Sequence, residues 1–247
     1  MTIKSVPRLR HENNLISSIP FFSTLDRGEI EQVEQLFSKR HYAKEQIVLY
    51  EQDTSNYMYL IYSGKVRVVK MNEEGKEQII TIHKRKDFFG EMSLLDGKTS
   101  PATIIAHEDA IIGFLTKSDF DEHLLRHEGI RRKILDLLCG RLRESWEMIK
   151  ILSFNAENAQ DRVMSLLERL GELYGVKDDR GTIIDVKLTH QQMANYASIT
   201  RETMSRVLRN LEKSGMINIL DDKAILLTRL LFVERNKREP EKIAAFF

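Results

Sequence analysis

The spacing of apolar residues changes character along the chain, and each change marks an expected element. Ile16 to Phe22 is apolar but interrupted by Pro20. Asp26 followed by Glu29 has the form of a capping box with Asp at the N-cap. It predicts a short helix over Gly28–Ser38 with Ile30, Val33 and Leu36 on one face. Residues 41–116 then switch to short runs rich in β-branched and aromatic residues: Val48–Tyr50, Tyr57–Tyr62, Val66–Val69, Gln78–Ile82 and Thr103–Ala106. Turn-forming residues separate them at Asp53–Asn56, Ser63–Lys65, Asn72–Gly75 and Asp96–Gly97. Many short strands at this spacing argue for a small antiparallel barrel or jelly roll.

From about Glu122 to Leu152 the period becomes helical. Leu135, Leu138, Leu142, Ser145, Ile149 and Leu152 recur at intervals of 3, 4, 3, 4 and 3, an a/d seam with one polar member. A long dimerisation helix is the expected element; a helix packed on its own domain is the other reading. Ser153–Asn158 reads as a hinge. Beyond it, Gln160–Leu173 predicts a helix with Val163, Leu166, Leu167 and Leu170 inward. A polar loop, Lys177–Gly181, then precedes a strand over Ile183–Val186.

The segment Leu188–Lys213 carries the densest local signals. Thr189 followed by Gln192 is a second capping box and starts a helix that runs to about Ala197. Ser198-Ile199 makes a tight turn, and Thr200 caps a helix over Arg201–Lys213. Met193, Ala194, Ala197, Ile199, Met204, Val207, Leu208 and Leu211 fit two short helices crossing steeply around one small core. Gly215 ends the second helix, and Met216–Leu220, Asp221–Lys223 and Ala224–Leu227 read as a hairpin: a winged helix-turn-helix. Arg201, Glu202, Ser205, Arg206 and Arg209 are left outward. Arg pairs bidentately with guanine, Glu accepts from cytosine, and Ser bonds several base edges. Four basic residues against two acidic ones leave this helix with a net charge of +2, attractive to phosphate.

Composition adds mostly exclusions. The 247 residues are 42% hydrophobic and 30% charged, enough for two domains with real cores. The net charge of +1 hides the basic helix just described. No apolar stretch approaches the ~20 residues of a membrane span, so no membrane contact is expected. Met1–Asn14 is polar and has no apolar h-region. The single cysteine, Cys139, excludes an intrachain disulfide and an iron–sulfur cluster held by four thiolates, and fits a reducing cytoplasm. Lying one position beyond Leu138, it reads as a buried structural thiol, with a redox-active intersubunit disulfide as the alternative. The seven histidines show no spacing suggestive of haem ligation. No metal-ligand spacing, Walker loop or paired acid and base is present, so an enzyme is not expected.

The order of β-roll, long helix and winged helix-turn-helix resembles the cyclic-AMP receptor protein and FNR (fumarate and nitrate reduction), or CRP/FNR, family of transcription regulators. The likeness runs from about Ile19 to Leu227. Phe89-Gly90-Glu91-Met92-Ser93-Leu94-Leu95 is similar to the start of the family's phosphate-binding cassette, and Thr200–Arg206 to its recognition helix. The resemblance implies an α+β fold: an N-terminal antiparallel β-roll (a cyclic-nucleotide-binding-like jelly roll) over residues 1–128, a dimerisation helix and hinge over 129–155, and a winged helix-turn-helix over 156–247. It implies a homodimer that reads a palindromic site in double-stranded DNA and contacts RNA polymerase. Glu202 and Arg206 match base-contacting positions of both branches, Arg201 that of the cyclic-AMP receptor, and Ser205 that of FNR. Half-sites like TGTGA and TTGAT both stay open. Thr189, His190 and Gln191 match backbone-contacting positions, with His190 where the cyclic-AMP receptor has arginine.

The sensor departs from the pattern. Where the cyclic-AMP receptor ends its cassette in Arg-Ser-Ala, this chain has Ser100-Pro101-Ala102. The guanidinium is gone, and proline offers neither a hydroxyl nor an N–H. Gly90, Glu91, Met92, Ser100, Pro101, Ala102 and Ser145 are the implied effector-binding positions, with Glu91 matching a ribose-binding carboxylate. Ser145 falls where a threonine meets the nucleobase, and Trp146 replaces the next serine. Cyclic AMP is disfavoured, and an unnamed small-molecule effector takes its place. The competing class is a sensor or scaffold acting through protein–protein contacts, which gives no reason for the Arg201-Glu202-Arg206 pattern.

Overall fold

The computed structural model describes residues 15–71, 77–153, 158–221 and 223–238. The expected turn at Asn72–Gly75 and most of the expected hinge at Ser153–Asn158 lie outside them. The chain divides into two compact units, Met1–Glu144 and Ser145–Phe247.

In the first unit Pro20 separates two 3-10 turns, Ile16–Ser18 and Pro20–Phe22, and occupies the first position of the second. The Asp26–Glu29 capping box forms in full and starts helix α1, Arg27–Leu36. That helix stops short of the expected Ser38 because strand β1, Ser38–Tyr42, begins there. The following strands are β2 (Ile47–Leu49), β3 (Tyr57–Ser63), β4 (Lys65–Met71), β5 (Glu77–Lys84) and β6 (Phe88–Phe89). Helix α2, Glu91–Asp96, comes next, followed by β7 (Thr103–Ala106) and β8 (Ala110–Thr116). They make two antiparallel sheets, ordered β1-β8-β3-β6 and β2-β7-β4-β5. This is the expected jelly-roll-like layering. β1, β6 and β8 were not among the expected strands. β1 is exposed at every residue but Tyr42, so it lacks alternation; its register with β8 holds it, from Ser38 opposite Phe114 to Tyr42 opposite Ala110.

β3 shows how one strand serves two cores. Alternate residues of a strand face opposite ways. Met58, Leu60 and Tyr62 pack with Phe22, Val33, Phe120 and Leu124, whereas Tyr59 and Ile61 pack with Val66, Phe89, Ile104 and Ile112 between the sheets. A helical turn, α3 (Lys117–Asp119), and a π-helical turn, Phe120–Leu124, follow β8. The long helix α4, Glu128–Ser153, thus begins about six residues later than its apolar period suggested. The Phe120–Leu124 turn closes before it, with Leu125 N donating to Phe120 O. Ile130 and Ile134 of α4 are buried in the first unit's core, and Leu138 packs against it.

The second unit contains α5 (Ala159–Tyr174), β9 (Gly175–Asp178), β10 (Gly181–Ile184), α6 (His190–Tyr196), α7 (Arg201–Lys213), β11 (Ile217–Ile219), β12 (Ile225–Thr228) and α8 (Arg229–Arg238). Val163, Leu166, Leu167 and Leu170 of α5 are all buried, as their period requires. Three of the five residues of the expected polar loop, Lys177, Asp178 and Gly181, are strand: β9 and β10 form a hairpin, and the sheet runs β11-β12-β10-β9. At the end of α7, Gly215 takes φ 73°, the left-handed region that suits a residue without Cβ. Gly215 N donates to Glu212 O and Met216 N to Leu211 O, both at 3.0 Å, the paired bonds of a Schellman stop.

Candidate functional site

The helical corner of the second unit is built from short-range hydrogen bonds. Thr189 Oγ1 accepts from Gln192 N at 3.1 Å while Thr189 N donates to Gln192 Oε1 at 2.9 Å, so both halves of the capping box are made. The turn passes through Ser198 at φ 51°, and Ile199 N donates back to Ala194 O. Arg162 of α5 reaches Ser198 O at 3.3 Å and ties the turn to the unit's first helix. Thr200 Oγ1 accepts from Thr203 N at 3.2 Å and starts α7 at the expected residue. All eight apolar residues assigned to this core are buried, and so is Tyr196.

With that face inward, Arg201, Glu202, Arg206 and Arg209 are exposed on α7 and Ser205 is half-buried beside them. Thr189, His190 and Gln191 are exposed at the start of α6. Gln191 Nε2 donates to Asn195 Oδ1 at 2.8 Å, which orients its amide along the helix. His190 Nδ1 lies 2.8 Å from Ser205 Oγ. The second unit therefore gathers His190 and Ser205, fifteen residues apart, into one contact.

The cassette in the first unit is arranged differently. Gly90 sits at φ 81° between β6 and α2; a Cβ there would lie 2.8 Å from Tyr57 O and from the Tyr59 ring. Glu91 is buried and accepts from Arg141 Nε at 3.2 Å. Arg141 also donates to Phe88 O at 2.6 Å, to Glu144 Oε2 at 3.4 Å, and towards His83 Nδ1 at 3.5 Å. A guanidinium only donates, so Nδ1 of the buried His83 accepts and its proton is on Nε2. Burial, and then the charge of Arg141, hold His83 well below the ordinary imidazole range. The 3.9 Å approach of His83 to Asp87 is accordingly no ion pair. Asp87 is itself pushed upward by burial. Met92 is exposed, and Ser93 is buried with no hydrogen-bond partner for its hydroxyl among the described residues. Ser100 is buried, its hydroxyl donating to Ala102 O at 2.8 Å and its N–H to Asp53 O at 2.9 Å; Pro101 is exposed and Ala102 buried. Arg141 and Ser93 were not among the sequence candidates. Nothing in the local pattern points from Arg141 to a carboxylate fifty residues away.

On α4, Leu135, Leu142 and Ile149 are each more than half exposed, Ser145 is exposed, and Leu152 falls in the last turn. Leu138 is the exception, half-buried against its own core. Cys139 corrects the expectation of a buried thiol: it is exposed, because the residue after Leu138 turns about 100° away from the core-facing side of the helix. No helix among the described residues is long and apolar enough to cross a membrane.

A model of the cyclic nucleotide-binding domain matches residues 39–127, and one of the Crp-like helix-turn-helix domain matches residues 161–230. The chain is 30% identical over 200 residues to the cyclic AMP receptor protein of Thermus thermophilus, covering 81% of this chain and 88% of that one. It is 26% identical over 218 residues to the anaerobic regulatory protein of Bacillus subtilis, covering 87% and 90%. Among solved structures it resembles FixK2 from Bradyrhizobium japonicum with a TM-score of 0.71 over 81% of this chain and 96% of that one; at 22% identity this is a likeness of fold.

Proposed function

The chain belongs to the CRP/FNR family of transcription regulators, which are not enzymes, and from that premise we propose that it is a homodimer whose two α7 helices read the half-sites of a palindromic DNA duplex. The observation that carries this reading is the outward face of α7. Arg201, Glu202, Ser205 and Arg206 stand together near its N-terminal end, on a helix capped at both ends and packed by its opposite face. The first turns of such a helix enter the major groove. There Arg206 and Arg201 suit guanine and Glu202 suits cytosine. Thr189, His190 and Gln191 lie where the DNA backbone passes. The exposed Leu135, Leu142 and Ile149 supply the apolar seam for a second copy. Dimerisation places two reading helices one helical turn of DNA apart. Contact with RNA polymerase belongs to the same reading.

The effector in this proposal is a small molecule held by the cassette around Gly90, Glu91, Met92, Ser93 and Arg141. The name of the Thermus relative points to cyclic AMP. This chain lacks the cassette arginine, Pro101 donates nothing, and the Ser100 hydroxyl is spent on Ala102 O. A ligand that bonds Glu91 has to compete with Arg141.

The test is selection of sites from a random duplex pool, followed by affinity measurement at fixed salt, with and without small molecules extracted from cells. A palindrome with half-sites one turn apart supports the dimeric reader and decides between TGTGA- and TTGAT-like half-sites. No specific site under either condition refutes it.

A further inference from the structure

His190, the first residue of α6, and Ser205, on the reading face of α7, meet across the helical corner at 2.8 Å. A hydroxyl has one proton, and a neutral imidazole has one N–H and one bare nitrogen. Whichever group supplies the proton to this contact decides what Ser205 retains for a third partner. If Ser205 donates to a bare Nδ1, its oxygen faces outward with lone pairs only. If Nδ1–H donates, the hydroxyl proton is free.

We propose that His190 is a specificity-determining positioning residue: it holds Ser205 as a hydrogen-bond acceptor towards DNA, so that the base Ser205 meets carries an exocyclic amino group, adenine or cytosine. This rests on the reading of α7 as the recognition helix. The deciding atom is the other ring nitrogen. His190 is exposed within reach of the reading face, so DNA docked on that face brings phosphate oxygens beside it. Phosphate oxygens only accept, and most protein–DNA hydrogen bonds go to the backbone. His190 therefore meets phosphate through Nε2–H. A neutral ring then has no proton at Nδ1 and Ser205 has to donate to it, whereas an imidazolium would donate from both nitrogens and turn the hydroxyl proton outward. In the major groove the donors that meet the remaining lone pairs are adenine N6 and cytosine N4.

The experiment compares the full-length protein with His190→Arg, His190→Phe and Ser205→Ala. Each is measured at fixed salt against its selected site and every single-base variant of one half-site. The wild type is expected to favour adenine or cytosine at one position by about 10-fold, and Ser205→Ala to lose that preference at that position alone. Arginine has no acceptor, so in His190→Arg Ser205 has to accept and turns its proton outward. The preferred base there then moves to one presenting an acceptor, thymine or guanine, while other positions keep theirs. His190→Phe leaves the hydroxyl free to rotate and flattens the preference. Unchanged melting temperatures show that the variants fold, since His190 is exposed and Ser205 only half-buried. Three results overturn the proposal while α7 stands as the reader: the wild type favours thymine or guanine at the Ser205 position, Ser205→Ala alters no position, or both His190 variants keep the wild-type preference. A wild type that selects no site removes the reading of α7, and the role of His190 with it.

Discussion

The cassette and α7 both present polar groups, in opposite ways. Around α2 several groups turn inward and pair with one another: Glu91 with Arg141, Arg141 with Phe88 O, Ser100 with Ala102 O. On α7 they turn outward from a helix whose apolar face is fully buried, and Arg201, Glu202, Arg206 and Arg209 all stand exposed. Buried polar groups carry a large desolvation cost unless paired, so the cassette is interlocked and any change in it is felt by the fold. Exposed groups carry no such cost, so the outward face of α7 is free to be specified by a partner. The α4 seam is the apolar counterpart of that face, exposed in the single chain.

Substitutions that separate fold from recognition sharpen this contrast. Leu142→Asp places a charge in the seam; sedimentation is expected to give monomers, and affinity for a palindrome to fall at least about 100-fold through loss of the second half-site. An unchanged dimer removes the seam from the account. In the cassette, Gly90→Ala combines the left-handed backbone with a Cβ 2.8 Å from Tyr57 O, and is expected to cost the first unit about 3 kcal/mol in denaturant unfolding. Arg206→Ala should behave in the reverse manner, with melting unchanged and about 1–3 kcal/mol of discrimination lost at one base pair. Thr200→Ala removes the α7 cap and is expected to lower the stability of the second unit by about 1 kcal/mol, readable by hydrogen exchange in α7.

The mildest effect is a pH slope confined to the first unit. His83 is depressed below its ordinary value of 6.5, so the unfolded chain takes up a proton that the folded one refuses. Its contribution is fully present above 6.5 and is lost as the pH falls from there towards the depressed folded value. Asp87, raised above 3.8, acts in the opposite sense at more acidic pH: it contributes below 3.8, and that contribution is lost as the pH rises through its raised value. His83→Leu is expected to flatten the limb below 6.5, and an unaltered profile would show that the buried imidazole is not its source.

What could be read from the sequence is what depends on neighbours three or four residues apart. The capping boxes at Asp26–Glu29 and Thr189–Gln192, the cap at Thr200, the stop at Gly215 and the inward faces of α5 and α7 are local, because a helix closes its own hydrogen bonds and repeats its faces every turn. The apolar period of α4 is local in the same way, and the exposure of Leu135, Leu142 and Ile149 in a single chain adds what periodicity could not. Only the tertiary structure decided the rest. β1 has no alternation to announce it and exists through its pairing with β8, about seventy residues on. Arg141 meets Glu91 from fifty residues away, His190 meets Ser205 from fifteen, and Cys139 is exposed by the angle at which α4 packs. Each of these depends on where distant segments come to lie in space. A hydrogen bond or a burial between such segments carries no period for the chain to display.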